Sequence, residues 1–262
     1  MTDPIDIDSL IRTAREAGDA ILAIYRQDFA IYEKQDASPL TEADLASHRI
    51  IVDALGKLTP DIPVLSEEDA EIPFEERSQW STYWLIDPLD GTKEFIKKND
   101  EFTVNIALVR GHKAILGVVH VPATGVTFHG EAGKGAFRTT DGNTVQIHAT
   151  AEARSPLRVA GSRSHAGSSL QRFLDNVGEH EIVSMGSSLK LCLVAEGEAD
   201  IYPRLGPTCE WDTAAAQAVV EAAGGMVTDT GGTPLQYNTK ESLLNPEFLV
   251  FGDKSRDWTS YL

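Results

Sequence analysis

The stretch Trp84-Leu-Ile-Asp87-Pro88-Leu89-Asp90-Gly91-Thr92 carries the strongest chemical signal in the 262-residue chain. An apolar strand delivers Asp87, Pro88 is expected to stop its ladder, and Asp90-Gly91 turns the chain, so two carboxylates stand close together. Asp, Pro and Gly are also the ordinary residues of a plain turn. Two acids forced together, however, raise each other's pKa unless a cation sits between them, which makes a hard divalent ion the economical explanation. Three further acidic points accompany this one. They are Glu67 in Ser66-Glu67-Glu68-Asp69, Asp212 in Cys209-Glu210-Trp211-Asp212-Thr213, and Asp44. Taken singly, they read as a solvated charge run, a helix cap and a dipole-compensating acid. Taken together, four acidic points at strand–loop and loop–helix junctions can be gathered by a cleft.

The elements that must position them follow from periodicity. Ile7, Leu10, Ile11, Ala14, Ala17, Ile21 and Ile24 predict a helix over 6–26, and Leu45, Ile50, Ile51, Leu55 and Leu58 a second over 41–58 with Thr41 as N-cap. Residues 63–66, 83–86, 103–109, 114–121 and 125–128 read as strands, and 135–149 as a hairpin around Asp141-Gly142-Asn143. Consecutive strands without intervening helices indicate a largely antiparallel sheet. From about residue 156 strands (157–160, 182–183, 200–202, 248–251) alternate with helices (165–176, 187–196, 212–223), which implies mixed or parallel pairing. The expected fold class is therefore α/β, in the sense of an α+β layered sandwich. A first subdomain (1–155) would supply acids, and a second (156–262) would supply substrate contacts and one more acid.

Composition narrows the partners. Lys plus Arg total 23 against 40 Asp plus Glu, a formal charge of −17. Residues 1–101 hold 23 acids and 10 bases, and the remainder 17 and 13. Such a surface repels nucleic-acid polymers and anionic lipid. No apolar run is long enough to span a bilayer, and MTDPIDIDSL lacks the basic and apolar regions of a secretory leader. Cys192 and Cys209 make no disulfide framework and no zinc spacing. A cytoplasmic location is the expectation.

Glu67-Glu68, Asp87-Pro-Leu-Asp90-Gly-Thr92 and Trp211-Asp212, in that order, resemble the lithium-sensitive, magnesium-dependent phosphatases of the inositol monophosphatase superfamily. Asp90-Gly-Thr-Lys-Glu-Phe95, Lys34-Gln-Asp-Ala-Ser-Pro-Leu-Thr41, Gly186-Ser-Ser-Leu-Lys190 and Leu243-Leu-Asn-Pro246 look like its 3'(2'),5'-bisphosphate nucleotidase branch. The resemblance runs from about 34 to 252. It implies that Glu67, Asp87, Asp90, Asp212 and the carbonyl of Leu89 ligate two or three Mg²⁺ ions. It implies that Asp44 and Thr92 activate the attacking water, which Glu67 helps to fix. It further implies substrate contacts from Gly91, Thr92, Ser162, His165, Ser187, Lys190, Arg204 and Asp212.

The reaction so implied is hydrolysis of the 3'-phosphate of adenosine 3',5'-bisphosphate to AMP and phosphate, in sulfur metabolism. The sulfated nucleotide 3'-phosphoadenylyl sulfate is a second candidate substrate. Inositol phosphate and fructose 1,6-bisphosphate remain alternative substrates of the same metal core, and a catalytically silent binding module is the alternative outside enzymes. Peripheral association with an inner membrane is a family analogy. Oligomeric state, lithium sensitivity and ion number stay open.

Overall fold

Asp6 caps the first helix, α1 (Ile7–Tyr25), by accepting from Asp8 N, and the stripe Leu10, Ala14, Ala17 and Ile21 is buried along it. The computed structural model describes residues 5–27, 31–33, 39–161 and 167–262. A short antiparallel pair, β1 (Ile31–Glu33) and β2 (Pro39–Thr41), leads into α2 (Glu42–Leu58), which Thr41 caps. Then come β3 (Val64–Ser66), α3 (Phe74–Arg77), β4 (Thr82–Asp90) and α4 (Thr92–Lys97). The strands β5 (Thr103–Arg110), β6 (Lys113–Val121), β7 (Val126–Glu131), β8 (Gly135–Thr140) and β9 (Asn143–Ile147) follow. β3 to β9 form a seven-stranded sheet in chain order, antiparallel throughout except for the parallel pair β3–β4.

The second half contributes β10 (Leu157–Gly161), α5 (Ser168–Val177), β11 (His180–Ser184), α6 (Leu189–Ala195) and β12 (Ile201–Arg204). A 3₁₀ turn (Glu210–Asp212), α7 (Ala214–Ala222), β13 (Met226–Asp229) and β14 (Phe248–Phe251) complete it, with a last 3₁₀ turn at Trp258–Tyr261. Its five-stranded sheet has the order β11-β10-β12-β14-β13. β10 runs parallel to both of its neighbours, and β14 runs antiparallel to both of its own.

Alternation along the central strands sorts side chains to two faces. Trp84, Ile86, Ile106 and Leu108 pack under α1 and α2. Tyr83, Leu85, Ala107 and Val109 join α6, α7 and the inner face of the five-stranded sheet. Phe173 of α5 and Trp258 cover that sheet's outer face. The layers thus run helix, sheet, helix, sheet, helix. With both faces covered, β5 is buried from Thr103 to Val109 and is apolar from Ile106 to Val109, with Thr103 and Asn105 bonded toward the site end. The approach of α7 to β6 is extreme: a Cβ at Gly117 would stand 2.0 Å from the carbonyl oxygen of Ala215, so only glycine fits.

Two expectations are corrected and one lies partly outside the described residues. Pro88 does not stop the ladder, because β4 pairs Asp87 with Asn105 and then resumes at Asp90 with Thr103. The extra residue is taken up by a bulge at Pro88-Leu89, where a residue without an N–H costs no ladder bond. The helix expected over 212–223 is split, since the Asp212 carboxylate folds back on Cys209 N and closes a separate 3₁₀ turn before α7 begins. The helix expected over 165–176 is described only from Ser168, and 165–166 lie outside the described residues.

Candidate active site

The parallel pair β3–β4 brings two acids side by side. Glu67 N, just past the end of β3, donates to Ile86 O at 3.2 Å, which sets Glu67 beside Asp87. The bulge then orients the two carbonyls beyond Asp87. Pro88 O is taken by Ser47 Oγ of α2 at 2.7 Å, while Leu89 N donates to Asp87 Oδ1 at 3.1 Å. Among the described residues Leu89 O accepts a long bond from Thr92 Oγ1, at 3.4 Å, and Leu89 lines the cleft. Asp212 arrives from the opposite side on its 3₁₀ turn. Glu67, Asp87 and Asp212 offer oxygens that all lie within 4.8 Å of one another.

Asp90 stands next to this trio, with Oδ2 accepting from Ser188 N at 2.5 Å and from Thr103 Oγ1 at 3.4 Å. The electrostatics are those of a crowded anion site. Burial, and then the charges of Glu67, Asp90 and Asp212, push the Asp87 carboxyl well above its usual range. Burial and Asp90 do the same to Asp212. Burial also raises Asp90, but the Lys190 ammonium and the Ser188 N–H oppose it. An all-oxygen donor set with this much uncompensated repulsion suits a small hard dication.

On the helix side, Asp44 completes a capping box, its Oδ2 accepting from Thr41 N at 2.8 Å and from Thr41 Oγ1 at 2.6 Å. Its other oxygen, Oδ1, receives Thr92 Oγ1 at 3.3 Å. The dipole-or-cap reading of Asp44 is therefore correct as far as it goes, yet the same carboxylate also faces the site. Thr92 opens α4 immediately after Gly91, whose φ of 89° turns the chain out of β4.

A second cleft of about 200 Å³ adjoins the carboxylate cleft and shares Asp90, Gly91, Glu94 and Asp212 with it. Its far wall holds Ser187, Lys190, Tyr202 and Arg204. Lys190 is only 6% exposed, so it is no surface charge. Its Nζ donates to Ser187 O at 2.7 Å and Met185 O at 3.3 Å and lies 5.6 Å from the Tyr202 ring centre. Burial lowers the Lys190 pKa to about 8, against the pull of Asp90. Arg204 donates through one terminal nitrogen to Pro207 O at 2.8 Å. Arg204 Nε and Ser187 Oγ are buried without a hydrogen-bond partner among the described residues. Ser187 also carries a φ of 44°.

The structure thus brings Asp44, Glu67, Asp87, Leu89, Asp90, Gly91, Thr92, Ser187, Lys190, Arg204 and Asp212 around one trough. Ser162 and His165 lie outside the described residues. Sequence reading passed over Ser188, whose Oγ bonds Thr103 Oγ1 at 2.8 Å and Asn105 Oδ1 at 3.0 Å while its N–H holds Asp90. The doubled serine of Gly186-Ser-Ser was the available signal. It also passed over Ser47, for which a serine inside a helix gives no signal.

A layered fold with acids at strand ends and a cationic opposite wall defines a class, and the chain belongs to it. The inositol monophosphatase family matches residues 5–254. Within that family the chain is 52% identical over 246 residues to the 3'(2'),5'-bisphosphate nucleotidase CysQ of Escherichia coli K12, covering 93% of this chain and 98% of that one. The CysQ of Haemophilus influenzae is 39% identical over 256 residues, covering 97% and 95%. Among solved structures, CysQ from Bacteroides thetaiotaomicron superimposes with a TM-score of 0.83 at 40% identity, covering 96% and 98%. The inositol monophosphatase of Thermotoga maritima gives 0.78 at 27% identity, covering 97% and 95%. No helix among the described residues is long and apolar enough to cross a membrane.

Proposed function

We propose that the chain is a magnesium-dependent 3'(2'),5'-bisphosphate nucleotidase that removes the 3'-phosphate of adenosine 3',5'-bisphosphate, giving AMP and phosphate. The observation that carries this reading is the junction of two clefts. A repelling carboxylate trio adjoins a wall with a buried ammonium and a guanidinium. The identity of 52% to CysQ across nearly the full length supports the nucleotide as substrate. A cytoplasmic location goes with this reading.

Glu67, Asp87, Asp90, Asp212 and the Leu89 carbonyl hold the metal, as two or three Mg²⁺ ions. When bound, magnesium lowers the pKa of a coordinated water and neutralises charge on the leaving oxygen. The protein's own groups supply position and proton handling. Thr92 Oγ1 gives its hydrogen to Asp44 Oδ1, so its lone pair accepts the attacking water's hydrogen; as the water's proton passes to Thr92 Oγ1, Thr92's own proton passes to Asp44, the base. Lys190, Arg204 and the Ser187 hydroxyl, unpaired among the described residues, hold substrate oxygens beside Gly91 in the same cleft. Phosphoryl transfer asks for little more than such placement and charge.

The test is phosphate release from adenosine 3',5'-bisphosphate, inositol monophosphate and fructose 1,6-bisphosphate, each titrated with magnesium and quenched with EDTA. The expected result is the highest kcat/KM on the nucleotide, with AMP as product and no turnover in EDTA. A higher kcat/KM on either sugar phosphate, or metal-independent release, overturns the reading.

A further inference from the structure

The motif Leu243-Leu-Asn245-Pro246 lines neither cleft, yet it is bonded to the turn that carries Asp212. Glu210 N donates to Leu243 O at 2.8 Å, and Asn245 N donates to Thr208 O at 2.8 Å. The Asn245 carboxamide adds Nδ2 bonds to Cys209 O at 2.7 Å and to Thr213 Oγ1 at 3.0 Å, with Thr208 Oγ1 at 3.3 Å. Earlier in the same loop, Asn238 N donates to Glu210 Oε2 at 2.8 Å, and Tyr237 OH meets Thr213 Oγ1 at 3.2 Å. Asn238 is in turn held by Arg77 of α3, exchanging Nδ2 to Arg77 O at 2.6 Å and Arg77 Nη1 to Oδ1 at 2.5 Å. Residues 237–245 therefore brace 208–213 from outside while the Asp212 carboxylate points inward.

The turn has reason to need a brace. Its internal backbone bonds are long, Asp212 N to Cys209 O at 3.2 Å and Thr213 N to Glu210 O at 3.3 Å, and its one short internal bond, Cys209 N to the Asp212 carboxylate at 2.8 Å, uses the very group that must face the site. Asp90 and Glu67 repel the carboxylate that it carries. A carboxamide bonded at both ends of the turn, on Cys209 and on Thr213, fixes the backbone on either side of Asp212.

We infer that Asn245 is a positioning residue for the metal site: its carboxamide holds the Cys209–Thr213 turn so that Asp212 stays beside Glu67 and Asp87. This rests on the reading of the trough as a magnesium site. Groups that orient ligands from behind typically cost about 10–100-fold in metal affinity when removed. Asn245→Ala is expected to weaken magnesium binding by that factor, both in calorimetry without substrate and in the half-saturation of phosphate release. At saturating magnesium, kcat and the nucleotide KM return to near wild type.

Ser242→Ala, in the same loop, loses only an acceptor for Leu244 N and is expected to change neither quantity. Should circular dichroism find Asn245→Ala unfolded, Asn245→Ser, whose hydroxyl leaves space for a water, is measured with the same expectation at a smaller factor. A folded variant whose magnesium binding matches wild type overturns the inference, as does a lowered kcat with an unmoved magnesium half-saturation. Failure of the underlying reading looks different, since wild type itself would then neither bind magnesium nor release phosphate.

Discussion

The two walls of the trough are built by different means. The acidic wall hangs on strand ends and a capped helix: Glu67 and Asp87 are fixed by a parallel pair, Asp44 by its capping box and Pro88 by Ser47. The cationic wall comes from α6, from the end of β12 and from a left-handed residue at Ser187, and two of its donors, Arg204 Nε and Ser187 Oγ, have no partner among the described residues. One wall keeps mutually repelling groups in place, and the other holds groups in reserve for a ligand. Rigid placement suits atoms that must share an ion, whereas unspent hydrogen-bonding capacity suits atoms that must meet a substrate.

If the walls divide the labour in this way, substitutions on each should fail differently. On the acidic wall, Asp90→Asn removes a charge while keeping its shape, and turnover should fall on the order of a thousandfold at any magnesium concentration. Steady-state rates near wild type at saturating magnesium would show that Asp90 does not share in holding the metal.

On the cationic wall, Lys190→Met should raise the nucleotide KM by about tenfold or more, with a smaller change in kcat, because a charge-assisted bond present in the ground state is lost. A pure kcat defect would move Lys190 to the reacting side. Its pKa sharpens the point. Burial favours the neutral amine and brings the value to about 8, so the ammonium is present below that pH and is lost as pH rises through it. The KM of wild type should therefore climb above pH 8, and that rise should be missing from the Lys190→Met profile.

The smallest effect concerns stability. Burial and like charges raise the Asp87 carboxyl, so the metal-free protein takes up protons on folding. Its stability is then greater toward acid pH and falls as pH rises toward neutral. Asp87→Asn should raise the melting temperature of the EDTA-treated protein, by about 2–4 °C for each kcal/mol of repulsion relieved. Added magnesium should stabilise wild type more than the variant. A variant that melts lower in EDTA would mean that Asp87 is not under repulsion.

Most of the architecture was legible because it rests on local patterns. The stripe in α1, the Thr41 cap, the Asp141-Gly142 hairpin and the apolar runs of β4 to β6 each announce themselves within a few residues. Elements of at most two periods did not: β13 has four residues and follows two glycines, and α4 has six. The acids of the site could be named because acids at strand ends are chemically unusual. Their supports could not, since Ser188, Ser47 and Asn245 are ordinary polar residues until a partner 36 to 98 positions away is beside them. Asp212 shows the limit of local reasoning, because its capping bond to Cys209 and its place in the trio are both real.

The contact between Gly117 and Ala215 has a further consequence. Main chain rests on main chain there, so no rotamer can adjust the gap between the central sheet and the helix that begins just after Asp212. A single methyl at 117 would press on the Ala215 carbonyl and act as a shim, lifting the start of α7 and carrying the last acid away from the other two. The spacing of the three acids is in this sense gauged by an absent side chain.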